Sequence, residues 1–61
     1  MDLDQEAAEA TRLLTGKIVR LVQRSRANEV MIEFTDGTRF YADAPSQPVE
    51  LSVTEGNQTR R

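Results

Sequence analysis

The residues that could do chemistry in this 61-residue sequence are acidic pairs near its start and a basic segment after them. The acidic pairs are Asp2 with Asp4 and Glu6 with Glu9. Acidic side chains at the beginning of a helix cap its free N–H groups and complement its dipole, so this position favours a structural role. The sequence contains no histidine and no cysteine, which removes the commonest general base, thiolate nucleophiles and the usual zinc ligands. We therefore predict that the protein is not an enzyme and has no cofactor or metal site.

A basic segment follows the acidic start and could bind an anion or a partner protein. We call it the basic ridge; it consists of Lys17, Arg20, Arg24 and Arg26, with Arg39 as a further donor and Tyr41 as a stacking surface nearby. Arginine supplies seven of the eight cations in the chain, and its planar guanidinium can hold phosphate or carboxylate through two parallel hydrogen bonds. A solvated face, or ion pairs with acidic residues of the same or another subunit, would also explain the ridge. These six residues are the candidate site for a ligand or partner.

The overall charge of the chain indicates which kind of partner it binds. Dedicated nucleic-acid binders are usually basic, whereas this chain has a net charge of −2, an isoelectric point near 4.9 and only three aromatic residues. Nucleic-acid binding, with the ridge on phosphates and Tyr41 on a base, is therefore an alternative. We expect a small binding module that occupies a partner protein or sequesters a small anionic, nucleotide-like ligand, as an inhibitor from a phage or mobile element would. An accessory structural subunit of a larger complex is a further alternative.

Two features of the sequence bear on its location. The acidic start lacks the basic region and the apolar stretch of a secretory signal peptide. No apolar run approaches the roughly 20 residues that a membrane-spanning helix needs. We expect a cytoplasmic protein that does not enter a membrane.

The segment from Asp2 to Thr15 predicts an α-helix. Asp2 or Asp4 can cap its start, Arg12 lies near its end, and Gly16 follows as a stop signal. Apolar residues recur at helical spacing and form one narrow stripe: Leu3, Ala7, Ala10 and Leu14. The stripe could pack on the sheet of its own chain or against another copy, and we favour its own sheet.

After the helix, β-branched and aromatic residues cluster into short runs that predict strands. The four runs are residues 17–24, 29–35, 38–44 and 49–54. We predict an α+β fold in one domain over residues 1–54: an N-terminal helix followed by a four-stranded antiparallel meander, as a small curled sheet or partial barrel. The polar residues 55–61 are predicted to form a disordered tail.

The turn Thr35-Asp36-Gly37 selects the register of one hairpin. A two-residue loop would mix apolar and polar side chains on each face, whereas a three-residue loop with Gly37 in the left-handed conformation makes one face apolar. The predicted pairs on the apolar face are Phe34 with Thr38, Ile32 with Phe40 and Val30 with Ala42. On the other face they are Glu33 with Arg39 and Met31 with Tyr41. We predict the bulged, three-residue hairpin.

The first strand is apolar on both of its faces. We expect Val19 and Leu21 to lie on the face of Val30, because the alternative register would bury Arg20 without a partner for its charge. The second apolar face, and the lack of a disulfide or metal to stabilise so small a domain, predict a homo-oligomer. The candidate interface residues are Leu3, Ala7, Ala10, Leu14, Ile18 and Val22.

Overall fold

The computed structural model describes residues 2–56 and has one helix and one sheet. Helix α1 spans Leu3–Leu14, and strands β1, β2 and β3 span Val19–Gln23, Glu29–Phe34 and Arg39–Asp43. The strands form a three-stranded antiparallel sheet in the order β1-β2-β3. The predicted α+β class is confirmed.

Both ends of α1 follow from local chemistry that the sequence shows. At the start, the Asp2 carboxylate accepts a hydrogen bond from the Gln5 backbone N–H at 2.7 Å, which satisfies one of the free donors of the first turn. At the end, Gly16 has a φ of +83°, and the Lys17 N–H donates to the Leu14 carbonyl at 3.1 Å. The predicted cap and the predicted stop are therefore confirmed.

The β2–β3 hairpin has the predicted three-residue loop. Gly37 has a φ of +90°, its N–H donates to the Phe34 carbonyl at 3.0 Å, and the Phe34 N–H donates to the Thr38 carbonyl at 2.9 Å. Ile32 lies opposite Phe40, as predicted. The remaining predicted pairs are also confirmed: Val30 with Ala42, Glu33 with Arg39 and Met31 with Tyr41.

Strand β1 contains a bulge between Val19 and Leu21, which changes the faces of its side chains. Val19 lies opposite Phe34, and Val22 lies opposite Ile32 on the same face of the sheet. The expectation that Leu21 would share the face of Val19 was wrong, and Val22 lies there instead. The physical reason is the extra residue of the bulge, which shifts the alternation of all the side chains after it.

The predicted fourth strand, residues 49–54, was wrong, because this segment has no regular secondary structure. After β3 the Ala44 N–H donates to the Asn28 carbonyl at 3.0 Å, and the Val49 N–H donates to the Ala27 carbonyl at 2.9 Å. The segment between them contains Pro45 and Pro48 and carries the chain across the end of the sheet, away from β3. The segment therefore cannot pair with β3 as a meander requires. Of the predicted disordered tail, residues 57–61 lie outside the described residues.

The core of the described chain is small. Val30 and Phe34 are 3% and 6% exposed, and they are the buried hydrophobic residues between residues 2 and 56. Both lie on the same face of the sheet, which we call the Val30 face. Its residues are Val19, Val22, Val30, Ile32, Phe34, Phe40 and Ala42. Between residues 2 and 56, no Cα atom of α1 comes within 8 Å of a strand Cα atom. A groove of about 470 Å³ separates the helix from β3, with Ala7 and Ala10 on one side and Phe40 and Ala42 on the other.

Candidate functional site

The second face of the sheet carries part of the predicted binding site. Directly paired residues of antiparallel strands share a face, so the strand register defines what we call the Tyr41 face: Leu21, Gln23, Met31, Glu33, Arg39 and Tyr41. Tyr41 and Arg39 lie two residues apart on β3, and the side chain of each is about half exposed. Tyr41 lies opposite Met31, so the two side chains are neighbours on this face.

Glu33 holds two arginines of the predicted site together. The Nε and Nη2 atoms of Arg20, the bulge residue, donate to Glu33 Oε2 at 3.0 and 2.8 Å. The Nε atom of Arg39 lies 3.5 Å from Glu33 Oε1. The Glu33 side chain is only 15% exposed, and the hydrogen bond from Arg20 is the largest of the effects that lower its pKa below the ordinary value. The cluster therefore carries a net charge of +1 at neutral pH, because the ionised carboxylate cancels one guanidinium.

Lys17 lies apart from this cluster, at the β2–β3 turn. Its Nζ atom is 2.6 Å from Asp36 Oδ2, and Asp36 Oδ1 accepts a hydrogen bond from the Thr38 backbone N–H at 2.9 Å. The hydrogen bond from Lys17, followed by that from Thr38, holds the pKa of Asp36 far below its ordinary value. This pair ties the chain after α1 to the hairpin turn.

Arg24 lies at the opposite end of the sheet and bonds to backbone carbonyls there. Its Nε atom donates to the Glu29 carbonyl at 3.0 Å, and its Nη2 atom donates to the carbonyls of Ala27 and Val49 at 2.8 and 2.7 Å. One guanidinium thus closes the β1–β2 connection and fastens the segment after β3 to it. Arg26 lies nearby and pairs with the Glu29 carboxylate at 3.2 Å.

The structure therefore divides the basic ridge among three places. Arg20 and Arg39 share Glu33 as a partner, with Tyr41 two residues after Arg39 on β3, whereas Lys17 lies at the hairpin turn. Arg24 and Arg26 lie at the other end of the sheet. Each of the six cations between residues 2 and 56 has a carboxylate or carbonyl partner, including Arg12 with Glu9. An anionic ligand would have to displace these partners.

Sequence reasoning identified the pair of Glu33 with Arg39 but missed Arg20 as the second partner of Glu33. The position of Arg20 depends on the β1 bulge, for which no glycine or proline in the strand gives a signal. Sequence reasoning also missed the role of Arg24, because its acceptors are backbone carbonyls, which every residue has.

The candidate interface residues from the sequence do not lie together on one element. Leu3 is highly exposed at the start of α1, whereas Ala7 and Ala10 line the groove towards β3 and Leu14 is half-buried. Ile18 and Val22 are exposed at β1. Of the predicted set, the exposed side chains of the sheet are therefore at its β1 edge.

The described residues contain no cluster of acidic side chains that could hold a metal ion. Among the described residues, no helix has both the length and the apolar character needed to cross a membrane. Comparisons with protein-family models, curated proteins and solved structures give no match for this chain.

The Lys17–Asp36 pair predicts a pH dependence of stability. A carboxyl group with a lowered pKa in the folded state stabilises the fold above its unfolded pKa, and this contribution is lost as the pH falls below about 4. We expect Asp36→Asn to have a lower melting temperature than the parent protein at pH 7. The difference between the two melting temperatures should narrow steadily from pH 4 to pH 2. Thermal unfolding by circular dichroism at a series of pH values measures this. Lys17→Met should show the same narrowing, and a difference that stays constant with pH for both variants would contradict the assignment.

Proposed function

We propose that this protein is a small, non-enzymatic, homo-oligomeric binding module that occupies a partner protein through its Tyr41 face. The observation that carries the proposal is a group of half-exposed side chains: Glu33 pairs with both Arg20 and Arg39, and Tyr41 lies two residues after Arg39 on the same strand. Tyrosine and arginine are the residue types that most often dominate the binding energy of protein interfaces. A rigid strand and a half-buried carboxylate limit the side-chain freedom that binding would otherwise remove.

The electrostatics of this face favour a protein over a small anion. Glu33 occupies the guanidinium of Arg20 and lies close to that of Arg39, so a phosphate would compete with a carboxylate already in place. A protein surface can instead pack on Tyr41 and Met31 and use the free edges of the guanidinium groups. A carboxylate or carbonyl acceptor of the partner would suit the remaining charge of +1.

Replacement of Tyr41 by alanine tests this proposal. The parent protein and the variant are immobilised and exposed to an extract of the organism that encodes them, and the retained proteins are quantified by mass spectrometry. We expect a partner that the parent retains to be depleted at least tenfold by Tyr41→Ala, because loss of a central aromatic residue costs about 2 kcal/mol or more. Leu13→Ala is the matched control, since Leu13 is an exposed apolar residue of α1 and is not part of the sheet.

Two results would contradict protein binding at this face. One is equal retention by the parent and both variants. The other is a nucleotide-sized mass bound to the protein purified from its own host, seen by native mass spectrometry and lost in Arg39→Ala. The second result would support sequestration of an anionic ligand instead.

A further inference from the structure

Two segments of this chain, strand β1 and the residues after β3, expose apolar side chains although their sequence patterns are typical of buried strands. On β1, Val19 and Val22 are each 52% exposed, although they share the Val30 face with the core. After β3, Leu51 and Val53 are 51% and 90% exposed, although they alternate with polar residues as the side chains of a half-buried strand do.

Strand β1 lies at an edge of the sheet and can accept another strand. Within residues 2–56 its backbone bonds to β2, and Ile18 just before it bonds to Thr35; no other segment pairs with it. The other edge strand, β3, is less suitable. Its ends carry the exposed charges Arg39 and Asp43, which discourage strand addition, and its apolar side chains are already half-buried.

Residues 50–54 form the exposed segment that could fill this place. Within the described chain they make no hydrogen bond. The residue before them, Val49, is held at the end of β1 by Ala27 and Arg24. The segment therefore starts beside β1 of its own chain but does not lie along it, and both apolar surfaces stay uncovered.

We propose that residues 50–54 of a second copy of this chain add to the β1 edge as an antiparallel strand, and that the exchange is reciprocal. This proposal rests on the homo-oligomeric state in the proposed function and defines its interface. If Leu51 lies opposite Val22, then Val53 reaches the bulge beside Val19, so all the apolar side chains fall on the Val30 face. Glu50 and Ser52 then point to the opposite face, which is polar in part.

The exposed area is sufficient for such an interface. The chain exposes 5152 Å², against about 4,000 Å² for a compact monomer of this mass. This excess belongs to the whole chain, α1 included, and it exceeds the roughly 800 Å² that each partner contributes to a stable interface of standard size, so a second copy can bury part of it. A reciprocal exchange uses both the strand edge and the exposed segment of each chain, so it closes as a two-fold dimer with no unfilled copy of either.

Engineered cysteines test this assembly directly, because the natural sequence contains none. The full chain with Val22→Cys and Leu51→Cys is oxidised and run on a non-reducing gel. We expect a covalent dimer as the main species, with a mass twice that of the chain. The matched control combines Leu51→Cys with Asp43→Cys, an exposed position on the opposite edge strand, and should stay mainly monomeric.

A monomer that has lost both free thiols would show that the segment closes on its own β1. A monomer that keeps its free thiols would show that the segment does not pair with β1 at all. Either result overturns the proposal.

Leu51→Glu provides an independent measurement, because Leu51 lies outside the helix and strands and its replacement leaves the fold intact. Native mass spectrometry should show a dimer for the parent protein and a monomer for Leu51→Glu, and a dimer that persists in Leu51→Glu would count against the exchange. Tyr41→Ala should keep the cross-link, so failure of the dimer and failure of partner binding can be told apart.

Discussion

Phe34→Ala is expected to cause the largest loss of stability of any single substitution in this protein. Phe34 is one of two buried hydrophobic side chains between residues 2 and 56, so few neighbours can move to fill the space it would leave. Truncation of a buried phenylalanine to alanine costs about 3 to 5 kcal/mol. A domain of this size has a total free energy of unfolding of about 3 to 9 kcal/mol, so the loss is at least about a third of the total. Circular dichroism in increasing urea, at one protein concentration, measures the loss.

Phe40→Ala is the matched control for this prediction. It removes the same atoms from the neighbouring strand on the same face, but Phe40 is only half-buried and borders the groove beneath α1. We expect it to lower the free energy of unfolding by about half as much as Phe34→Ala, since the cost follows the apolar area removed from water. Equal losses for the two variants would mean that the core is not centred on β2.

Arg24→Ala is expected to have the second largest effect. Its guanidinium donates to three backbone carbonyls that belong to two separate segments of the chain. Hydrogen bonds to a charged group contribute about 1.5 to 3 kcal/mol each where water cannot replace them, and these carbonyls are partly accessible to water. We therefore expect a total loss of about 1 to 3 kcal/mol, with a fall of the melting temperature of about 4 to 8 °C for each kcal/mol.

Two further variants separate the geometry of Arg24 from its charge. Arg26→Ala removes a neighbouring arginine that forms an ion pair with Glu29 at the surface. This variant should change the free energy of unfolding by less than about 0.5 kcal/mol. Arg24→Lys keeps the positive charge but lacks the planar fork that reaches several acceptors at once, so it should restore little. Full stability of Arg24→Lys would show that charge alone matters at this position.

The parts of the fold that the sequence predicts correctly depend on local chemistry. The Asp2 cap, the Gly16 stop and the Asp36-Gly37 turn each act within a few residues, and one register of the β2–β3 hairpin makes one face apolar. The structure has all of these features. Alternation in residues 49–54 likewise shows that the segment suits a strand, but alternation does not say where its partner lies.

The candidate site was less predictable, because its assembly depends on contacts between distant residues. The pair of Glu33 with Arg39 follows from the hairpin register, and that part was predicted. Arg20 joins the pair through a bulge whose residues look like those of a regular strand. Arg24 was placed in a binding surface because its charge is visible in the sequence, whereas its carbonyl acceptors are not.

The short connections between the strands have a consequence for the order of events during folding. Residues 24–28 join β1 to β2 and residues 35–38 join β2 to β3, so each pair of neighbouring strands can meet at a small cost in loop-closure entropy. The ties from Ala27 and Arg24 to Val49 span more than twenty residues and have no geometry until the sheet exists. The sheet can therefore form before the segment after β3 is fastened, and that segment can detach again while the sheet persists.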